Sequence, residues 1–304
     1  MTNSLDDTRF VQKKILQASL LVALSGILYG FLGYLGTHVL QEHFSISTML
    51  FWRFLIASIW MYLFWLKKYF NHETSPINKR ILFSMFILSA IGYASSSSFY
   101  FMASQYTGTG LAMVVFFSFP VMVALYSCFR RETALSFKTL FTLVAIVLGL
   151  LILRNTNNEH ASVIGITLGI LSAVGYAAYV IGSKYFSSSN VDSNALTISV
   201  CLGCTFMFLI SSLSTHSFSI PHSWSTWIYV FALGILTTAL PIQLMLEGLK
   251  SISSVRASIL SVLEPLVTVF AGLLLLGETL THWQMFGAFI ILASAVIVQF
   301  QREL

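Results

Sequence analysis

The chain has 304 residues, of which 57% are hydrophobic and only 9% are charged. A soluble domain carries about 25% charged residues, so this chain lacks the polar side chains needed to cover a surface in water, and lipid is its expected solvent. The net charge of +5 does not indicate nucleic-acid binding, because the Lys and Arg residues lie in short gaps between apolar segments.

Ten apolar segments are long enough to cross a membrane, since a membrane helix needs about 20 mostly apolar residues. In chain order they cover about 15–37, 46–66, 81–103, 107–128, 137–154, 162–183, 194–213, 225–246, 253–275 and 282–300. The gaps between them are short. The sequence therefore predicts an all-α integral membrane protein of ten transmembrane helices, with the lipid bilayer as its surroundings and no soluble module.

The basic residues predict the orientation of these segments. Fourteen of the sixteen Lys and Arg residues fall on the side of the N-terminus, Arg154 falls on the other side, and Arg53 lies inside the second segment. Cytoplasmic loops carry the excess of Lys and Arg. Both termini are therefore predicted to be cytoplasmic.

The two halves of the chain resemble each other. The segment LSGILYG (Leu24–Gly30) matches LSAVGYA (Leu171–Ala177), and FFSFPVMV (Phe116–Val123) matches VLEPLVT (Val262–Thr268) when the prolines are aligned. The matches follow in order at an offset of about 145 residues. We expect one repeat over residues 1–156 and a second over 157–304, each with five helices. Because five is odd, the second half enters from the opposite face, which gives the 5+5 inverted-topology repeat typical of secondary transporters.

The repeat, the Arg of FWRFL (Phe51–Leu55) and the ninth-segment motif VLEPLVTVFAGLLLLGE together resemble the EamA-like branch of the drug/metabolite transporter superfamily. The resemblance covers nearly the whole chain. It implies ten helices around a central cavity in a bacterial inner membrane, with the fifth and tenth helices as a homodimer-facing pair. Members of this branch move amino acids, nucleobases and other metabolites.

Glu264 is the first candidate for substrate binding, because it lies about eleven residues into the ninth segment, roughly 16 Å deep at 1.5 Å per residue. A charge near the bilayer centre is costly and is a functional residue by default. Two functional roles stay open: a counter-ion for a substrate ammonium, and a carboxyl that couples transport to protons. A structural role, bonding backbone freed by Pro265, is the alternative.

The prolines and tyrosines inside the segments are the next candidates. Pro120 and Pro265 predict helix kinks that line the cavity, and Pro241 predicts a kink whose freed carbonyls are satisfied by Thr237 and Thr238. A buried phenol needs a partner, and inward-facing tyrosines would suit a mixed polar and aromatic cavity; packing against lipid is the alternative for each. The candidate tyrosines are Tyr29, Tyr93, Tyr100, Tyr176 and Tyr179.

Three further charged residues have weaker signals. Arg53, near the outer end of the second segment, is interpreted as an anchor that extends its charge to the interface, and a role as a ligand-binding residue is the alternative. Glu247 and Arg256 flank the turn between the eighth and ninth segments, where they could pair as a cytoplasmic gate or form a plain loop salt bridge.

The sequence contains no ATP-binding loop, catalytic cluster, metal-ligand set or cofactor motif, so an enzyme is not expected. The favoured function is a secondary transporter of a small polar or amphipathic molecule, with an amino acid preferred. The alternatives are a nucleobase-like or adenosylated substrate such as S-adenosylmethionine, and a non-transporting membrane scaffold.

Overall fold

The computed structural model describes residues 2–42, 44–71, 78–131, 136–153, 162–189, 191–275 and 281–299. Within these ranges the chain forms fifteen α-helices and two π-helical turns. The predicted boundary between the halves, at residues 156 and 157, lies outside the described residues.

The helices group into ten spans, numbered here in chain order. The first five spans are span 1 with α1 (Thr2–Tyr29) and α2 (Leu32–Gln41), span 2 with α3 (Ile46–Phe70), span 3 with α4 (Lys79–Leu88), a π-turn (Ser89–Tyr93) and α5 (Ala94–Thr107), span 4 with α6 (Thr109–Phe116) and α7 (Phe119–Phe129), and span 5 with α8 (Phe137–Leu153). The second five are span 6 with α9 (Val163–Ser187), span 7 with α10 (Ser193–Ser214), span 8 with α11 (Trp224–Gly234), a π-turn (Ile235–Ala239) and α12 (Leu240–Leu249), span 9 with α13 (Ser254–Leu260) and α14 (Leu263–Leu275), and span 10 with α15 (His282–Gln299).

Eight of the spans are apolar helical segments long enough to cross a membrane, as predicted. The other two predicted spans, 5 and 10, are shorter apolar helices over Phe137–Leu153 and His282–Ile297. The outer surface agrees with this assignment, because large side chains such as Phe129, Phe137 and Trp224 are more than 80% exposed. Surface of this kind needs lipid against it. The protein is a multi-pass integral membrane protein.

The prolines lie where the spans change their helical geometry. Pro120 is in the first turn of α7, after span 4 breaks at Phe117 and Ser118. Pro265 is the third residue of α14, after span 9 breaks at Ser261 and Val262. Pro241 follows the π-turn of span 8 directly. A missing backbone donor explains each interruption.

Spans cross closely where glycine removes a side chain. A Cβ atom at Gly30 of span 1 would lie 2.4 Å from the Cβ of Val267 in span 9. Gly92 of span 3 and Gly175 of span 6 face each other, and a Cβ on Gly175 would lie 3.0 Å from the Gly92 carbonyl oxygen. Small residues at such crossings let membrane helices approach.

The main packing partners come in pairs that link the two halves. Span 2 packs along span 7, and span 5 packs along span 10. Span 1 packs on the second part of span 8, and span 6 packs on the second part of span 3. This arrangement places parts of spans 1, 3, 4, 6 and 9 around one interior region, which holds most of the candidate residues.

Candidate substrate site

Four of the five predicted tyrosines lie together in the interior. Tyr29, Tyr93, Tyr176 and Tyr179 are each at most 6% exposed. The hydroxyls of Tyr29 and Tyr93 are hydrogen-bonded at 3.1 Å, and the ring of Tyr93 stacks on Tyr179 at 4.7 Å. The ring of Tyr176 meets Tyr93 edge-on at 5.6 Å. We call these four residues the tyrosine cluster; it joins spans 1, 3 and 6.

Tyr100, the fifth predicted tyrosine, extends the cluster toward span 4. Its ring contacts Phe116 at 5.4 Å, and Phe116 contacts Tyr176 at 5.3 Å. Phe119 also packs edge-on against Tyr176, at 4.7 Å. Tyr100 and Phe116 are only half-buried, whereas Phe119 is fully buried. Accessible aromatic surface is therefore available beside the buried tyrosines.

Glu264 lies in the first turn of α14, directly after the break in span 9. It is half-buried, and it is close enough to Tyr93, Tyr100, Tyr176 and Arg53 to interact with each electrostatically. Among the described residues, its carboxylate accepts no hydrogen bond. A helix N-terminus favours a negative charge. The helix N-terminus therefore favours the negative charge of Glu264, while its carboxylate oxygens are left without a hydrogen-bond donor among the described residues.

The structural alternative for Glu264 is that its side chain bonds the backbone freed by Pro265. In the structure the backbone of Glu264 does this instead. Pro265 cannot donate to the carbonyl of Ser261, four residues earlier, but the backbone N–H of Glu264 donates to that carbonyl at 3.0 Å. The hydroxyl of Thr268 in turn donates to the Glu264 carbonyl at 3.0 Å. The side chain of Glu264 is therefore not needed to satisfy the broken backbone.

Arg53 is not the interfacial anchor that the sequence suggested, and that prediction is wrong. Its side chain is 3% exposed and points into the protein. Nε donates to the Thr238 hydroxyl at 2.5 Å, and Nη2 donates to the Thr237 carbonyl at 3.1 Å. The guanidinium also lies over the ring of Phe54, 5.0 Å from its centroid. The side chain of Arg53 is packed between spans 2 and 8, so its guanidinium cannot reach the membrane–water interface.

The threonines before Pro241 also act differently from the prediction. Their hydroxyls, on Thr237 and Thr238, both donate to the carbonyl of Leu233, at 3.0 Å and 2.8 Å. The carbonyl that Pro241 leaves without its helical donor is that of Thr237, four residues earlier. Arg53 supplies the missing donor. The π-turn, the proline and the buried arginine thus form one unit.

The predicted gate residues flank the turn that joins spans 8 and 9, near the end of α12 and the start of α13. Glu247 accepts hydrogen bonds from Lys250 at 2.8 Å and from Ser193 at 2.7 Å, and Arg256 is not among its partners. Arg256 is 5% exposed, in the first turn of α13. The hydrogen bonds of Glu247 lead to Lys250 and Ser193, and neither of these residues belongs to the tyrosine cluster. A gate role for them stays a prediction.

A separate groove of about 200 Å³ lies between spans 3 and 7. Its lining residues are Ala94, Ser95, Ser98, Phe99, Met207, Phe208 and Ser211. It is smaller than most small-molecule sites, which measure about 300–1,000 Å³. Of the nearby serines, Ser96 faces the other way and pairs with Ser172 of span 6, each hydroxyl donating to the other's carbonyl at 2.8 Å. The tyrosine cluster with Glu264 is the better candidate site.

No group of His, Cys, Asp and Glu side chains within the described ranges could hold a metal ion. The region around the tyrosine cluster instead offers one carboxylate, one guanidinium and several aromatic rings. These groups suit an organic solute with both charged and apolar parts.

Broken helices and π-turns surrounding such a polar interior are the architecture of a membrane transporter. The model of the EamA-like transporter family matches residues 16–155 and again residues 163–300. The chain belongs to this family, and the resemblance seen in the sequence is confirmed.

Curated relatives from bacteria and archaea are also transporters. The uncharacterized transporter YcbK of Bacillus subtilis is 28% identical over 195 residues, which are 62% of this chain and 62% of YcbK. An uncharacterized transporter of Archaeoglobus fulgidus is 30% identical over 65% of this chain and 70% of its own length. The threonine/homoserine exporter RhtA of Escherichia coli K12 is 24% identical over 65% of this chain and 64% of RhtA.

A solved crystal structure shares the fold. It superposes with a TM-score of 0.78 at 16% identity and covers 92% of this chain and 96% of its own. The similarity extends over nearly the whole chain, so the fold described above also occurs in that solved structure.

Proposed function

We propose that the protein is a secondary transporter of a small amphipathic metabolite, with an amino acid as the favoured substrate, and not an enzyme. The observation that carries the proposal is the carboxylate of Glu264. It is half-buried in mid-span, beside accessible aromatic rings, and its backbone, not its side chain, satisfies the break at Pro265. A carboxylate in membrane without a structural task is best explained by a ligand.

An amino acid fits the chemistry of this site. Its ammonium group would bind Glu264, and an apolar side chain would lie against Tyr100 and Phe116. Aromatic faces also attract a cation directly. The similarity to RhtA, which exports threonine and homoserine by its name, supports this substrate class.

On this proposal, transport proceeds by alternating access between two inverted halves, residues 1–156 and 157–304. Three features support the repeat. The π-turn of span 8 begins 146 residues after that of span 3. Spans 4 and 9 both break just before a proline, and these prolines are 145 residues apart. The contacts between the halves also come in matched pairs.

The burial of spans 4 and 9 supports a structure that is closed on one side. All seven residues of α13 are buried, while only Ala112 and Val114 are buried among the eight residues of α6. The second part of span 4, α7, packs against α13, and no comparable packing joins α6 to α14 within the described chain. We infer an inward-closed, outward-open conformation.

The excess of Lys and Arg on one side supports cytoplasmic termini, and membership of the family together with its bacterial relatives supports a bacterial inner membrane. Coupling to protons through Glu264 is part of the proposal, because a carboxyl in a membrane interior can gain and lose a proton. A homodimer through spans 5 and 10 is a further expectation. The exposed apolar side chains of α8 and α15, such as Phe141 and Phe289, are available for it.

Flux into proteoliposomes tests the function. The purified full-length chain would be reconstituted and supplied with a panel of labelled amino acids, nucleobases and S-adenosylmethionine, with and without a proton gradient. We expect saturable movement of at least one amino acid. Movement of only S-adenosylmethionine or nucleobases would favour the alternative substrate, and movement of no compound would contradict the proposal.

A further inference from the structure

The buried guanidinium of Arg53 has more donors than its structural task uses. Of its N–H groups, one on Nε and one on Nη2 are bonded to Thr238 and Thr237. No described residue accepts a hydrogen bond from Nη1. An arginine presents five donors in a planar fork, so the edge formed by Nη1 and Nη2 is left for another acceptor.

The bonds to span 8 fix this free edge in place. The Thr237 carbonyl needs a donor because Pro241 has none to give, so the guanidinium is held at a position that the backbone defines. The ring of Phe54 lies against the guanidinium at 5.0 Å. A guanidinium that is already oriented before a ligand arrives loses less conformational entropy on binding. The geometry of its N–H groups also matches a carboxylate.

Arg53 and Glu264 both lie near the hydrogen-bonded tyrosine pair, since each is close enough to Tyr93 to interact with it electrostatically. Phe54, next to Arg53, meets Tyr93 edge-on at 5.6 Å. Tyr29 is followed by Gly30, whose Cβ position lies 3.0 Å from the carbonyl oxygen of Glu264.

The two charges interact electrostatically, yet no ion pair joins them within the described part of the chain. A buried cation and a half-buried anion in the membrane interior are each costly when they do not pair, and the cost is lowest when a ligand supplies both missing partners. The pair together has no net charge. A ligand with one charge of each sign leaves the interior neutral, whereas a simple amine or a simple acid does not.

We propose that Arg53 and Glu264 form a two-charge site for a zwitterion. Arg53 binds the α-carboxylate of the substrate through its Nη1 and Nη2 edge, and Glu264 binds the α-ammonium. The substrate side chain lies toward Tyr100 and Phe116. The inference rests on the proposed transport function and specifies which part of the substrate each charge recognises; Arg53 is a specificity-determining residue on this account.

Three ligands that share the leucine side chain and Cα test the site: L-leucine, isopentylamine, which lacks the carboxylate, and 4-methylpentanoate, which lacks the ammonium. Binding of labelled L-leucine to the purified full-length chain is measured with each of the other two as competitor. We expect L-leucine to bind about ten- to a hundredfold more tightly than either, since each analogue leaves one of the two interior charges without a partner.

Two variants then distinguish the role of the Arg53 charge from that of the Glu264 charge. Arg53→Gln should abolish the preference over isopentylamine and keep the preference over 4-methylpentanoate, and Glu264→Gln should do the reverse. Arg53→Lys should restore part of the first preference, because it keeps the charge and loses the fork. Thermal unfolding of each variant reports whether it folds.

The outcomes distinguish this proposal from the function it rests on. If the wild type binds L-leucine and both analogues equally, the two-charge site is contradicted while amino-acid transport stands, and this result does not depend on any variant folding. If Arg53→Gln weakens all three ligands by the same factor, Arg53 only supports the π-turn. If the wild type binds none of the three, and transports no amino acid, both proposals fail.

Discussion

Spans 4 and 9 have the same design and differ in two respects. Each breaks into two helices a few residues before a buried proline, Pro120 in one and Pro265 in the other. All seven residues in the first part of span 9 are buried, whereas six of the eight in the first part of span 4 are half-buried or exposed. The residue before the proline also differs, being Phe119 in span 4 and Glu264 in span 9.

These differences separate architecture from chemistry. The break and the proline occur in both spans, so they belong to the shared framework. On the proposed alternating-access mechanism, the unequal burial of the two spans describes one conformation, because halves that exchange roles would reverse it. The carboxylate occurs once, so the break in the helix does not require it, which agrees with the substrate-binding role proposed for it.

The largest expected effect comes from removing the carboxylate that span 9 has and span 4 lacks. Glu264→Gln should lower amino-acid flux by about ten- to a hundredfold, because a buried charged hydrogen bond is lost. Flux should also lose its dependence on pH, since an amide cannot gain a proton in this range. The measurement is proteoliposome flux between pH 5 and pH 8.

The matched control is Glu42→Gln, which changes an exposed carboxylate at the end of α2. This variant should transport at the wild-type rate. If both variants transport normally at every pH, Glu264 has no part in binding and the difference between spans 4 and 9 is only one of packing.

A smaller effect is expected where span 1 supports the break in span 9. Gly30→Ala would place a Cβ 2.4 Å from the Cβ of Val267, and overpacking of this kind costs about 1–3 kcal/mol. Gly33→Ala is its control, because the nearest atom would lie at an ordinary 3.5 Å, on Thr268. Thermal unfolding in detergent should show a lower midpoint for the first variant alone. Equal midpoints would mean that spans 1 and 9 are not held in this close contact.

The smallest effect concerns the contact between spans 3 and 6, which matches the packing of span 8 on span 1. Ser96→Ala removes one of the two reciprocal hydrogen bonds with Ser172, and such bonds in membrane proteins contribute about 0.6 kcal/mol on average. The unfolding midpoint should fall slightly, while substrate affinity is unchanged. A large loss of affinity would show that this contact also shapes the site.

Much of the fold follows from the sequence because lipid imposes a simple length rule. Eight of the ten apolar segments are helices of spanning length, and the remaining two are shorter apolar helices at the predicted positions. The interior position of Tyr29, Tyr93, Tyr176 and Tyr179 follows from the same logic, since a phenol in mid-span needs a polar partner. Local composition decides both features.

Contacts between distant spans do not follow from local composition. Arg53 was assigned to the interface because it lies near the end of its segment, but its partners are 184 and 185 residues away in span 8. The π-turns likewise depend on how neighbouring helices pack. One signal was present: Pro241 leaves the Thr237 carbonyl without a donor, and a buried arginine elsewhere is one way to supply it.

The most direct test of alternating access compares matched positions in spans 4 and 9. Met113 and Ser258 each lie seven residues before their proline, the first half-buried in α6 and the second fully buried in α13. Each would be replaced by cysteine in a chain carrying Cys128→Ala, because Cys128 is exposed and Cys201 and Cys204 are buried. A charged thiol reagent would then be applied from either side of the membrane.

Alternating access predicts that Met113→Cys reacts from outside and that Ser258→Cys is protected in the absence of substrate. A transported amino acid should slow the first reaction and allow the second from the cytoplasmic side. If substrate is transported while both reactivities stay unchanged, the two halves do not exchange roles, and alternating access between them is wrong.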